Sequence, residues 1–213
     1  MDILVVRHGE SEANTKGIYQ GWTYDTPLTE QGRKQAESLA KYLAKQYHVF
    51  DRVYTSPLLR TVETAAILAQ GLLLPEPIAD NRLKEMNHGA WEGKMKEEIA
   101  ATDSELLRLW KERPEEVQMP EGELLSDVID RAYEFFEQIA DEEFTRVIVV
   151  THDVVVRGLV TRLLRRPLND LWLYEMDNTG YTVIEWDSMP HVAEVNVSEH
   201  LEGLKSDTRN QAL

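Results

Sequence analysis

The stretch Ile3-Leu4-Val5-Val6-Arg7-His8-Gly9-Glu10 decides how the chain is read. Four consecutive β-favouring apolar residues make a short strand buried on both faces of a sheet. The run then stops at a guanidinium, an imidazole and a glycine. Burying an arginine without an anionic partner is too costly, so Arg7 and His8 are expected to emerge into a crevice. In open α/β sheets that crevice lies outside the carboxyl ends of the strands. Val147-Ile148-Val149-Val150-Thr151-His152 has the same form. Two hydrophobic strands, each delivering a histidine, point to a site where His8 attacks a phosphate and His152 helps to hold it.

The composition narrows the partners. At 213 residues, one domain, or one with a subdomain, is the expectation. The net charge of −15 argues against non-specific nucleic-acid binding, which needs basic surface to displace counterions. The same overall field repels an anionic substrate, so a phosphate site has to be a local positive island. With no cysteine, a disulfide framework, a thiolate nucleophile and a Cys-ligated zinc are excluded. Four apolar residues before Arg7 are too few for a signal-peptide core, and no run approaches the ~18 apolar residues of a membrane span. The expectation is a soluble cytoplasmic protein with a small phosphorylated substrate and no nucleic-acid or membrane partner, a homodimer being left open.

Along the chain, Ser11 to Thr26 reads as a polar, glycine-punctuated loop beside His8. Its Asn14 and Gln20 offer amides either to phosphate oxygens or to loop backbone. Thr29 is a good N-cap for a helix reaching about Tyr47, and Arg52 to Thr55 reads as a parallel strand. Pro57 suits the first turn of the next helix. That places Arg60 near the positive end of a helix dipole, a natural anion position. Arg82 to Gly93, with His88, two glycines and two carboxylates, reads as a site wall. A mostly helical insertion covers about 94–122, broken at Thr102-Asp103, and a helix with an apolar inner face runs from Leu125 to Ala140. After the strand that delivers His152, Asp153 is placed to cap a helix and to pair at i,i+4 with Arg157. Asn178-Thr179-Gly180 turns into a strand at Tyr181–Trp186, and Val192–Val197 reads as an edge strand. The polar tail from about 198 to 213 is mobile unless it folds over the site.

A phosphate monoester must be gripped at its oxygens, attacked in line and given a proton at its leaving oxygen. Arginine's planar fork suits the grip, which makes Arg7 and Arg60 the candidates. Water, serine or histidine could attack; a neutral imidazole splits the displacement into two easier steps through a phosphohistidine. For that, one nitrogen of His8 must stay unprotonated while the other donates to a carbonyl, that of Gly9 or a neighbour. Two nearby arginines lower its pKa. A protonated His152 would complement charge on the equatorial oxygens. Glu85 is the candidate general acid, its proton held by repulsion from a bound dianion.

Arg7-His8-Gly9-Glu10-Ser11 resembles the Arg-His-Gly signature of the histidine phosphatase superfamily, the phosphoglycerate mutase-like family. The likeness continues through Gln20-Gly21-Trp22, Asp25-Thr26-Pro27-Leu28-Thr29, Ser56-Pro57-Leu58-Leu59-Arg60-Thr61, Leu83-Lys84-Glu85, Gly89-Ala90-Trp91-Glu92-Gly93 and Thr151-His152. What it implies is an α/β three-layer sandwich with a mainly parallel sheet flanked by helices, and metal-independent, cofactor-free phosphomonoester hydrolysis. His8 would be the phosphorylated nucleophile and Glu85 the proton donor, with Arg7, Arg60 and His152 completing the pocket. Asn14, Gln20, Gly21, His88 and Asp153 are the further candidates for substrate contact. Glu85-Met86-Asn87-His88-Gly89, Asp177-Asn178 and His200-Leu201 look like the metal-independent phosphoserine phosphatases, in which the position of His88 and the C-terminal segment hold the serine part.

The chain departs from the family where Asp153-Val154 follows the second histidine in place of Gly-Gly; that acid either narrows the pocket or caps the helix. Pro120-Glu121-Gly122-Glu123-Leu124 replaces Pro-Gly-Gly-Glu-Ser, which leaves Glu123 without a clear role. The long basic insertion of the glycolytic mutases has no counterpart between Trp91 and Glu123, which favours a phosphatase over a mutase. Two rivals stand beside this reading. Glu85-x-x-His88 has the spacing of a di-iron ligand pair, but it occurs once and shares its site with two arginines that repel a cation. The other rival is a catalytically silent binding domain.

Overall fold

The computed structural model describes residues 1–212. Its strands are β1 (Asp2–Arg7), β2 (Arg52–Thr55), β3 (Ile78–Ala79), β4 (Arg146–Thr151), β5 (Tyr181–Glu185) and β6 (His191–Val197). The helices are α1 (Glu12–Lys16), α2 (Glu30–Gln46), α3 (Leu59–Gly71), α4 (Lys96–Thr102), α5 (Ser104–Glu112), α6 (Leu125–Ala140) and α7 (Asp153–Leu163). The strands form one sheet in the order β3-β2-β4-β1-β5-β6. The first four are mutually parallel, and β5 and β6 run antiparallel.

Strand residues point alternately to the two faces, and both faces are apolar. Ile3, Val5, Val147 and Val149 pack with Phe135 and Phe136 of α6 and Val156 and Leu159 of α7. Leu4, Val6, Ile148 and Val150 pack with Leu39 and Leu43 of α2 and Ala65 and Leu68 of α3. A strand covered on both sides reads as an unbroken hydrophobic run, which is why Ile3–Val6 and Val147–Val150 show no polar alternation. The helices follow from equally local causes. The Thr29 hydroxyl accepts from the Gly32 N–H at 3.0 Å, which starts α2, and Ala36, Leu39, Ala40 and Leu43 line its buried stripe. Among the described residues no helix is long and apolar enough to cross a membrane.

Four local expectations need correction. The polar stretch after His8 is not all loop: Ser11 caps the short α1, with the Asn14 side chain returning to the Ser11 N–H at 3.1 Å. This is a capping box closed by Asn in place of the usual Glu or Gln. Pro57 lies outside α3, whose N-cap is Leu58. The proline-broken connection contributes the two-residue strand β3 at the sheet edge. Asp153 opens α7 as its first residue, but its carboxylate is drawn into ion pairs and does not act as the cap.

The register positions the site. Arg7 lies opposite Thr151, and Val150 lies opposite both Val6 and Thr55. One step further, the His8 N–H donates to the Thr151 carbonyl and the Ser56 N–H to the Val150 carbonyl, each at 3.0 Å. Three parallel strands therefore end in step, and the segments after them leave from one edge. The segment after β1 is pressed directly onto α2. A Cβ on Gly32 would lie 2.1 Å from the Glu10 carbonyl oxygen, and one on Gly9 would lie 2.6 Å from the Gly32 carbonyl oxygen. Since both obstacles are backbone, neither can swing aside. Gly32→Ala is expected to lower unfolding stability by about 1–3 kcal/mol, as overpacking does, measured as a reduced urea midpoint at unchanged slope.

Candidate active site

The edge where the strands end is lined by Arg7, His8, Asn14, Gln20, Arg60, Glu85, His88, Asp153 and Ala212, around a cavity of about 10 Å³. Arg7 and Arg60 are each only 1% exposed. Buried guanidinium groups need anionic or carbonyl partners, and both have them. Arg7 Nη1 donates to the Met176 carbonyl at 2.7 Å and pairs with Asp153 at 3.2 Å, while Nη2 donates to the Gln211 side chain. Arg60 Nη1 pairs with Asp25 at 2.8 Å and Nη2 reaches the Gly21 carbonyl at 3.4 Å. Asp25 also accepts from the Leu59 N–H at 2.5 Å. The anion at the start of α3 is thus Asp25, which aims Arg60 at the cavity. Burial pushes both arginine pKa values down, and Asp153 and Asp25 oppose it.

His8 Nδ1 lies 2.7 Å from the Gly9 carbonyl oxygen. A carbonyl only accepts, so Nδ1 carries the hydrogen and Nε2 keeps its lone pair. Burial, then Arg60 and Arg7, hold the His8 pKa well below 6.5. The ring is therefore neutral at neutral pH. Its backbone is fixed as well: the Gly9 N–H donates to Thr64 at 3.0 Å, and Asn178 Nδ2 donates to the His8 carbonyl at 3.2 Å.

His152 packs edge-on against His8 with ring centroids 5.3 Å apart, and its Nε2 meets the Ser56 hydroxyl at 2.8 Å. Here the expectation of a protonated His152 is corrected. Burial, then Arg60 and His8, push its pKa well below 6.5, so it is neutral. Glu85 is shifted the other way. Burial raises its pKa from 4.5 to about 7 against the pull of the Met86 N–H and Arg60. Its backbone is clamped from two sides, Trp22 Nε1 at 2.6 Å and Arg131 Nη2 at 2.9 Å both donating to its carbonyl. Arg131 is itself held by Glu123 at 3.0 Å. That gives Glu123, left without a role by the sequence, a structural one.

Four buried nitrogens at this edge have no hydrogen-bond partner among the described residues: Arg7 Nε, Arg60 Nε, His88 Nδ1 and His152 Nδ1. Buried polar groups are nearly always paired, and such a cluster matches a ligand with several acceptor oxygens. The known proteins point the same way. The pattern of the Histidine phosphatase superfamily (branch 1) matches residues 3–197. The chain belongs to the histidine phosphatase superfamily. Phosphoserine phosphatase 1 of Hydrogenobacter thermophilus is 37% identical over 201 residues, 93% of each chain. The metal-independent phosphoserine phosphatase of Arabidopsis thaliana is 31% identical over 202 residues, 91% of this chain and 84% of that one. Among solved structures, Bacillus stearothermophilus YhfR superposes with a TM-score of 0.87 at 35% identity, covering 94% of this chain and 98% of that one.

In this histidine phosphatase the remaining candidates fare unequally. Asn14 and Gln20 line the cavity, and both also serve the loop. Asn14 closes the α1 capping box, and Gln20 Nε2 donates to Ser11 at 2.9 Å. Gly21 stands behind Arg60 as a carbonyl acceptor, away from the cavity wall. His88 lines the cavity, 2% exposed, and burial lowers its pKa to about 4. Asp153 narrows the pocket. Burial opposes its charge, but Arg157 and Arg7 outweigh that and keep it ionised.

Three contributors escaped the sequence reading. Asn178 sits in a turn whose amide carries no separate signal. Asp25 was quoted only inside a motif. Gln211 and Ala212 belong to the tail, which does fold over the site; residue 213 lies outside the described part. Gln211 Nε2 donates to Asn178 at 2.7 Å, so the tail closes onto both Arg7 and the His8 loop.

The raised Glu85 pKa has a thermodynamic consequence. The folded protein keeps the proton up to about pH 7, whereas the unfolded chain releases it near 4.5. Between those values the folded state binds more protons, so stability falls as pH rises. Glu85→Gln is expected to remove that slope, roughly 3 kcal/mol at most over the window. Urea unfolding of both proteins at stepped pH measures it.

Proposed function

We propose that the chain hydrolyses small phosphomonoesters through a phosphohistidine at His8. The observation that carries this reading is the neutral His8 ring. Its lone pair is fixed on Nε2 by the Gly9 carbonyl, between two buried arginines. In the first step Nε2 forms a bond to phosphorus as the ester P–O bond breaks, and Glu85 delivers its proton to the departing oxygen. In the second, water attacks the phosphohistidine, Glu85 takes the water's proton, and the P–N bond breaks to release orthophosphate and neutral His8.

Arg7 and Arg60 hold the non-bridging oxygens, and His152 Nδ1 and Asn14 add contacts. A bound dianion opposes ionisation of Glu85 and extends its time as an acid. Lewis-acid assistance fits this donor set poorly. A cation held by Glu85 and His88 would face both guanidinium groups.

Phosphoserine is the first substrate to try. Two phosphoserine phosphatases are among the relatives, and the solved phosphoserine phosphatase of Entamoeba histolytica, crystallised as a mutant with phosphoserine bound, shares the fold. His88 and the C-terminal residues also stand at the cavity, where such a leaving group would lie.

Acid quenching during turnover is expected to trap an acid-labile phosphoprotein in the wild type and none in His8→Ala. That variant should lose at least about a thousandfold in kcat, as nucleophile removal does. Exhaustive chelation should leave the rate unchanged; loss of activity restored by zinc or manganese would overturn the reading. Ranking phosphoserine, 3-phosphoglycerate, sugar phosphates and an aryl phosphate by kcat/KM fixes the substrate class.

A further inference from the structure

A second cavity of about 320 Å³ lies beside the first, with Ala212 lining both. Gln211, which donates to Asn178 and accepts from Arg7, lines the larger cavity and completes the partition. Three cations reach this second wall from three separate segments: Lys96 from α4, Lys111 from α5 and Arg209 from the tail. Glu97 is the acid among its lining residues. In a chain of net charge −15 this is a local reversal of sign. The opposing contacts are few and lie at the rim. Arg209 pairs with Asp207 at 2.9 Å, Lys96 donates to the Arg209 carbonyl at 3.3 Å, and Lys111 lies over the Trp172 ring at 4.6 Å. Tyr19 lines the cavity too, and its ring packs against His88 of the first cavity with centroids 5.6 Å apart.

We propose that this second cavity is the leaving-group subsite, and that it takes phosphomonoesters whose alcohol part carries a second anionic group, a carboxylate or a phosphate. The inference rests on phosphoryl transfer at His8 and extends it to the other end of the substrate. With phosphorus at His8, a cavity of about 10 Å³ leaves no room for the rest of the ester. The larger space is of ligand size. A phosphate oxygen at Arg7 takes the place of the Gln211 side chain, and release of that amide joins the two spaces. Lysine ammonium groups on flexible stems then meet the distal anion as mobile point charges. This class includes phosphoserine through its carboxylate, but the volume admits longer acids.

Three esters test the idea: phenyl phosphate, its 4-carboxymethyl derivative and its 4-phosphonomethyl derivative. The wild type is expected to favour one or both charged esters over phenyl phosphate by about tenfold or more in kcat/KM, as charge-assisted hydrogen bonds allow. The two arms tell carboxylate from phosphate recognition. Lys96→Met with Lys111→Met should abolish the preference. Ala100→Trp, which fills the cavity from its wall, should raise KM for the charged esters more than for phenyl phosphate. Absence of a preference in the wild type, or its survival in the double variant, overturns the subsite while leaving hydrolysis at His8 standing. Calorimetric binding to His8→Ala reads the same preference without turnover. If the wild type hydrolyses none of the esters but this variant still binds the charged ones more tightly, the subsite stands and the proposed function falls.

Discussion

The molecule depends on keeping two guanidinium groups charged where almost no water reaches them. Arg7 and Arg60 are buried at the ends of β1 and the start of α3, and each is held by one carboxylate and by backbone carbonyl. Breaking such a pair by removing one partner leaves an uncompensated buried charge, which costs several kcal/mol. Asp153 and Asp25 are therefore part of the architecture of the anion site. They also temper it, because a fully unbalanced pair of cations would bind orthophosphate too tightly to release it.

The same burial produces opposite effects on the groups between the arginines. Loss of solvent disfavours whichever form is charged, so His8, His152 and His88 are driven neutral and Glu85 is driven to keep its proton. A base that is neutral and an acid that is protonated are the two states a displacement at phosphorus needs at its outset. No additional device is required to set them. The Gly9 carbonyl settles the remaining ambiguity, which nitrogen of His8 faces outward.

Most of the frame was legible because the signals were local and strong. The two apolar runs, the Thr29 cap and the inner face of α6 follow from period and side-chain chemistry, and the structure places them where they were expected. Arg7, His8, Arg60, Glu85, His88 and Asp153 were also found to share one cavity. What escaped was of another kind. The charge state of His152 depends on packing from five directions, which no neighbour in sequence records. Asp153 looked like a cap because its position is a cap's neighbour, yet Arg7 and Arg157 compete for it from strand and helix. Gln211 is an ordinary polar tail residue until the fold brings it to Arg7 across 204 positions.

That separation bears on how the protein is made. The pairing of β1 with β4 joins residues 2–7 to residues 146–151, and the closing contacts come from the tail. Chains dominated by such distant pairings fold slowly, since loop closure must precede its reward. On the ribosome, β1 therefore waits with its apolar run unpartnered until well over half the chain has emerged. The most aggregation-prone moment in the protein's life falls in that interval, before any site exists.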